Sequence, residues 1–246
     1  MKTRAILGVR FFDGTAREAV QRGLAGGLVV APSAPSLLRI ATDANDRAAL
    51  LSADLVLPDS GFMVLLWRVR SGERLTRISG LEYLALLLAD PALREPGATF
   101  WIMPHAAARD QNLAWLRSRG FAVSDEDCFL APLYPEGAID DPPLAAIIAA
   151  RSPKHVFVAL GGGVQERLGM ALKRGVPPDT AIHCIGAAIA FLSGAQAPIP
   201  IWADTLFLGW LLRCIAAPRR FIPRYAKALR LAALVLRFGP KLPPLR

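Results

Sequence analysis

Asp59 follows the apolar run Leu55-Val56-Leu57-Pro58 and precedes Ser60-Gly61. A short buried run that ends in small residues reads as a strand exit feeding a helix, so a carboxylate there stands where a general base can accept a proton from an attacking hydroxyl. The same residue type at the same place also serves as N-cap for a helix opening near Phe62, and both readings stay open. A second candidate is Gly161-Gly162-Gly163, followed by Val164-Gln165-Glu166. Consecutive glycines let backbone N–H groups approach a phosphate at a helix start, with Gln165 within reach of a sugar or base. The run matches neither GxGxxG nor a Walker loop, and a tight strand-to-helix turn is its other reading. Arg77-Ile78-Ser79-Gly80 sets a cation and small residues ahead of another helix, where a solvated turn is the simpler account. Arg213, Arg219, Arg220 and Arg224 suit a bidentate grip on a diphosphate, or else a solvated or lipid-facing surface. The histidines (105, 155, 183) and cysteines (128, 184, 214) show no ligand spacing, so neither a metal site nor a bound cofactor is expected.

Short apolar, β-branched runs alternate with longer helical patterns. Leu28–Val30, Leu55–Leu57, Thr99–Met103, His155–Leu160 and Ala181–Ile185 read as buried strands. Helices are expected near Pro35–Leu51, Phe62–Val69, Leu81–Ala89, Ala106–Arg119, Leu144–Arg151, Gln165–Lys173 and Ala187–Leu192. The alternation predicts an α/β, Rossmann-like fold, a mostly parallel sheet with helices on both faces. In such sheets ligands bind at the carboxyl ends of strands, which is where Ala31-Pro32-Ser33, Asp59 and the glycine run fall. His155 and His183 sit in or beside strands and read as satisfied core or edge histidines.

Gly, Ala and Pro cluster at 194–200, dividing a body (1–196) from a C-terminal appendage (197–246). From Thr205 to Arg246 there are nine Lys or Arg and no Asp or Glu, so this segment carries the whole formal net charge of +9. Its cations are interleaved with Leu, Phe, Trp and Ile at near-helical spacing, which suits the surface of an anionic membrane. An amphipathic helix pair packed on its own domain gives the same pattern. The longest uncharged run, Thr205–Leu212, falls short of the roughly 18 to 20 residues of a membrane span, and Pro218, Pro223 and Pro240 interrupt a helix. A nucleic-acid surface is not expected, because the body's charges balance. Ala5–Val9 is too short for a signal peptide, and unpaired cysteines in apolar contexts fit a reducing compartment, so the expectation is cytoplasmic and peripheral on the membrane.

The ordered set of segments resembles the bacterial WecG/TagA/CpsF glycosyltransferase family. The resemblance runs from Ile6-Leu7-Gly8-Val9 through Ala31, Ala53 to Gly61, Arg77 to Gly80, Gln165-Glu166 and Gly186 to Gly194. It continues into Gly209-Trp210-Leu211-Leu212-Arg213, Pro218-Arg219-Arg220 and Arg224-Tyr225. It implies a metal-independent, inverting transfer from a UDP-sugar to a saccharide on a polyprenyl diphosphate, at the inner face of the cell membrane, in surface-glycan assembly. It implies Asp59 as base. Ser33, Ser60, Gly61, Arg77, Gly80, Gly161, Gly162, Gly163, Gln165, Glu166 and Gly186 then line the substrates, with Arg213, Arg219, Arg220 and Arg224 closing over the diphosphate. Family members can assemble through the body, so a homo-oligomer is allowed. Ala31-Pro32-Ser33 stands where the family commonly has Thr-Pro-Asn, and Ala190, Gly209 and Pro223 replace an Asp, a Glu and an Arg often found there. These departures leave room for a different donor sugar, or for an inactive relative that binds nucleotide-sugar or lipid. A nucleotide-dependent oxidoreductase, the remaining rival, lacks both GxGxxG and the following acidic residue.

Overall fold

A computed structural model of the chain describes residues 1–195 and 229–245. Its strands are β1 (Thr3–Ile6), β2 (Val9–Phe12), β3 (Gly27–Val30), β4 (Leu55–Val56), β5 (Thr99–Met103), β6 (Cys128–Leu130), β7 (His155–Val158) and β8 (Ala181–Cys184). They form one sheet in the order β1-β2-β4-β3-β8-β7-β5-β6. Only β1 and β2 pair antiparallel; every other neighbour is parallel. The helices are α1 (Ala16–Leu24), α2 (Ala34–Arg39), α3 (Ala44–Leu51), α4 (Gly61–Ser71), α5 (Gly80–Leu87), α6 (Ala106–Ser118), α7 (Pro142–Arg151), α8 (Val164–Gly175) and α9 (Ala188–Leu192). This is the α/β architecture that the alternation of apolar runs predicts.

Two apolar layers cover the sheet, and alternate strand residues feed them. Leu28, Val30, Phe100, Ile102, Val156 and Val158 point into a layer closed by α2, α3, α4, α7 and α8. Val29, Trp101, Met103 and Phe157 point into the other, closed by α1, α5, α6 and α9. Burial on both faces is why these strands read as continuous apolar runs.

The structure departs from the expected elements in several places. The single helix expected over Pro35–Leu51 is two, because the turn after Arg39 leads to Asp43, whose carboxylate accepts the Asn45 and Asp46 N–H groups and starts α3 afresh. The expected strand at His155–Leu160 ends at Val158. The β1–β2 hairpin, α1 and β6 are additions.

The hairpin turns on Leu7 (φ 52°) and Gly8 (φ 78°), both left-handed, which matches the strand twist. The C-terminal end holds that turn: Leu7 N–H donates to the Gly239 carbonyl (2.8 Å) and Gly8 N–H to that of Pro240 (3.1 Å). Residues 229–238 are helical. Leu231 and Val235 are fully buried in the layer that holds Met63, Val64 and Trp67 of α4. Arg70 Nε donates to the Leu236 carbonyl (3.1 Å) and Arg47 Nη2 to that of Pro243 (2.6 Å). For this part of the expected appendage, the membrane-facing reading of the apolar stripe gives way to packing on the body, because the stripe completes the core beside α4. Among the described residues no helix is long and apolar enough to cross a membrane.

Candidate active site

β3 and β8 are neighbours, but the chain leaving β3 enters α2 on one face while the chain leaving β8 enters α9 on the other. Such divergence opens a crevice at the carboxyl edge of the sheet, the usual ligand position in this architecture. The start of α5 lies in it. A Cβ built on Gly80 stands 3.4 Å from the Ala31 side chain and 3.7 Å from the Ile185 carbonyl oxygen, so the exits of β3 and β8 and the α5 N-terminus meet there.

Asp59 is brought to the same point from β4. Its Oδ1 accepts the Gly80 N–H at 3.0 Å, and its carbonyl accepts Arg77 Nε–H at 2.8 Å. The carboxylate is half-buried at the first turn of α5. Ser60 is the cap of α4, its Oγ accepting the Met63 N–H at 3.3 Å. That removes the reading of Asp59 as the α4 N-cap. Arg77, read from sequence as part of a solvated turn, is instead half-buried and bound to the Asp59 backbone. Asp59, Ser60, Gly61, Arg77 and Gly80 thus form one group.

The second group joins the exits of β3, β7 and β8. Ser33 Oγ lies 3.2 Å from Ser36 Oγ and makes no cap bond to α2. A Cβ on Gly162 would stand 2.5 Å from Ser36 Oγ, so the glycine run rests directly on α2. Gln165 Oε1 accepts the Gly186 N–H at 2.6 Å, tying the β7 exit to the β8 exit. Glu166 reaches back to accept the Gly163 N–H ahead of α8, while Gly163 has no side chain to cap the helix in return. Burial raises the Glu166 carboxyl above its ordinary range, against hydrogen bonds from Gly163 and Gln165 and the charge of Arg39. The N–H of Gly163, expected from sequence to face a phosphate, is therefore taken by Glu166. Gln165 and Glu166 are buried and hold loops rather than lie open in the crevice.

Ser36, Arg39, Asp46 and Arg167 carry no signal in the sequence. Arg39, Asp46 and Arg167 meet beneath the glycine run, Ser36 lies against Gly162, and no motif spacing marks any of them. His155 and His183 are core residues, as read. Tyr83 Oη lies 3.0 Å from His183 Nδ1, and His183 Nε2 lies 3.1 Å from His155 Nδ1, a buried chain away from the crevice. Cys128 and Cys184 are free thiols, and burial pushes that of Cys128 up to about 12. Among the described residues no cluster of His, Cys, Asp and Glu has the makings of a metal site. Arg213, Arg219, Arg220 and Arg224 lie outside the described residues.

Residues 4–242 match the family model described as glycosyl transferase WecG/TagA/CpsF family. Over 209 residues the chain is 27% identical to a Bacillus subtilis protein, covering 81% of this chain and 78% of that one. Over 190 residues it is 26% identical to a Bacillus spizizenii protein, covering 74% and 70%. Both relatives bear the name N-acetylglucosaminyldiphosphoundecaprenol N-acetyl-beta-D-mannosaminyltransferase. With a match spanning nearly the whole sequence, the chain belongs to the WecG/TagA/CpsF glycosyltransferase family.

Proposed function

We propose that this protein is a metal-independent, inverting glycosyltransferase that moves a sugar from a UDP-sugar to a saccharide carried on a polyprenyl diphosphate, in exopolysaccharide, capsule or related surface-glycan assembly. The observation that carries the reading is the place of Asp59, a half-buried carboxylate at the switch-point crevice whose orientation is fixed by the Gly80 N–H. The acceptor hydroxyl gives its proton to Asp59 as its oxygen bonds to the anomeric carbon. The bond from that carbon to the UDP oxygen breaks on the opposite side, and the electron pair leaves with UDP. A positioned base contributes about 10²- to 10⁴-fold. Neutralising the charge that develops on the leaving diphosphate falls to Arg213, Arg219, Arg220 and Arg224. The names of the two Bacillus relatives support the acceptor class.

The donor side is formed by Ser33 with the 161–163 run, while Gln165, Glu166 and Gly186 set its shape. Attachment to the inner face of an anionic membrane is part of the same reading. In support, α4, which begins directly after Asp59-Ser60, exposes Leu65 (56%) and Val69 (72%) beside Arg68 and Arg70.

The test is to incubate the chain, in detergent or lipid with chelator present, with a panel of UDP-sugars and a polyprenyl-diphosphate-linked N-acetylhexosamine. UDP release and glycolipid product are then measured together. Product from one donor supports the reading and names the sugar. Tight UDP binding with no product from any donor supports the inactive-relative reading that Ala190 and Gly209 motivate.

A further inference from the structure

We propose that Arg39, Asp46 and Arg167 form an ionic clamp, centred on the buried Asp46, that positions the 161–163 glycine run for the donor; this rests on the reading of that run as donor-side. Asp46, 4% exposed at the start of α3, receives two guanidinium groups. Arg39 Nε from the last turn of α2 lies against its Oδ2, and Arg167 Nε from α8 lies 3.2 Å from its Oδ1. Arg167 also donates to the carbonyls of Pro135, Gly137 and Gly163, fixing the run from its helical side. Arg39 fixes it from below. A Cβ on Gly163 would fall on the Arg39 guanidinium, and Gly163 has φ +92°, so the loop's backbone packs on this cation in a conformation that only glycine adopts without strain. Arg39 Nε and Nη2 and Asp46 Oδ1 are buried atoms with no hydrogen-bond partner, so these groups are joined by charge alone, and Nη2 stands directly behind the loop.

The geometry points to positioning rather than bulk stability. Replacing a buried charge cluster with well-packed apolar side chains of similar volume is often neutral or stabilising, so the contribution proposed for this one is placement of the groups it joins. Here the joined groups are α2, which carries Ser33 and Ser36 at its start, the first turn of α3, and the β7 exit. The clamp therefore sets the distance between the two loops that form the donor side. It acts through backbone and is not a catalytic element.

The experiment compares UDP and uridine binding, by titration calorimetry on the full chain, in wild type, Arg39→Lys, Arg39→Met and Asp46→Asn. Asp54→Asn serves as the structural control. Asp54 pairs with Lys173 (2.7 Å) and accepts the Leu28 N–H (2.8 Å) at the opposite end of the sheet, so it loosens the fold without touching the loop. Circular dichroism sets a temperature at which every variant compared is folded. The clamp predicts at least a tenfold loss of UDP affinity in Arg39→Met and Asp46→Asn, a smaller loss in Arg39→Lys, and none in Asp54→Asn. It also predicts that Arg39→Met combined with Asp46→Asn binds no worse than Asp46→Asn alone, since one clamp is broken either way. UDP affinity within twofold of wild type in folded Arg39→Met overturns the clamp and leaves the donor reading standing. Should Asp46→Asn not fold, Arg39→Met decides, because the Arg39 side chain is 37% exposed and its replacement is the milder change. A wild-type chain that binds neither UDP nor uridine overturns the donor reading and the clamp with it.

Discussion

Asp59 does not cap α4, and its carboxylate is turned to the Gly80 N–H at the α5 N-terminus. Removing the charge while keeping the shape separates base from scaffold. Asp59→Asn is expected to lower transfer by about 10²-fold or more while UDP affinity and thermal midpoint stay close to wild type. A rate assay, a UDP titration and a melting curve check the three parts. Gly163 tests the loop in a different way. Its φ of +92° and its contact with Arg39 leave no place for a methyl, so Gly163→Ala is expected to cost about 1 to 3 kcal/mol in urea unfolding. At this scale the sequence was informative on position, placing Asp59 and the glycine run at strand exits. It was silent on Arg39 and Asp46, which acquire their role only from Arg167 on a distant helix. It did not reveal that the Gln165 amide is buried and accepts the Gly186 N–H.

Among the elements, the C-terminal helix changes meaning most between sequence and structure. Its alternation of Leu, Val and Arg fits a lipid surface or a protein core equally well, and only the partner decides. Leu231 and Val235 meet the α4 layer, so Leu231→Ala is expected to lower stability by about 2 to 5 kcal/mol, whereas the exposed Leu236→Ala should stay within about 0.5 kcal/mol. Denaturant midpoints at constant slope measure both. The strands facing two helical layers were legible because burial on both sides demands continuous apolar runs. The β1–β2 hairpin was not, because Leu7-Gly8 is an unusual pair for its turn and is held by Gly239 and Pro240 from the far end of the chain. The start of α1 did carry a readable signal, the Thr15 and Glu18 capping box. The break between α2 and α3 was likewise marked by Asp43, a cap residue inside a longer helical pattern.

For the whole molecule, the buried Tyr83, His183 and His155 chain joins α5 to β8 and β7 with both imidazoles neutral. A donating Tyr83 hydroxyl sets His183 Nε2 as the donor to His155 Nδ1. Burial pulls His155 down to about 4 from its ordinary 6.5, and pulls His183 well below the ordinary value too, with the neighbouring imidazole adding to it. Between these values the unfolded chain binds more protons than the folded one, so folding stability is complete above about pH 6.5 and falls as the pH drops toward 4. The expected loss for His155 is on the order of 1 to 3 kcal/mol, read from urea midpoints at pH 7 and pH 4.5. His155→Gln should reduce that dependence, with the part due to the buried His183 remaining. The same fold brings the exits of β3, β4, β7 and β8 together at the carboxyl edge of the sheet, and the chain's family is one of glycosyltransferases. The most direct test is glycolipid formation from a UDP-sugar panel and a polyprenyl-diphosphate-linked acceptor, run side by side with wild type and Asp59→Asn. The account predicts product from wild type with at least one donor and almost none from the variant, with UDP bound equally by both. Undiminished product from Asp59→Asn would contradict it.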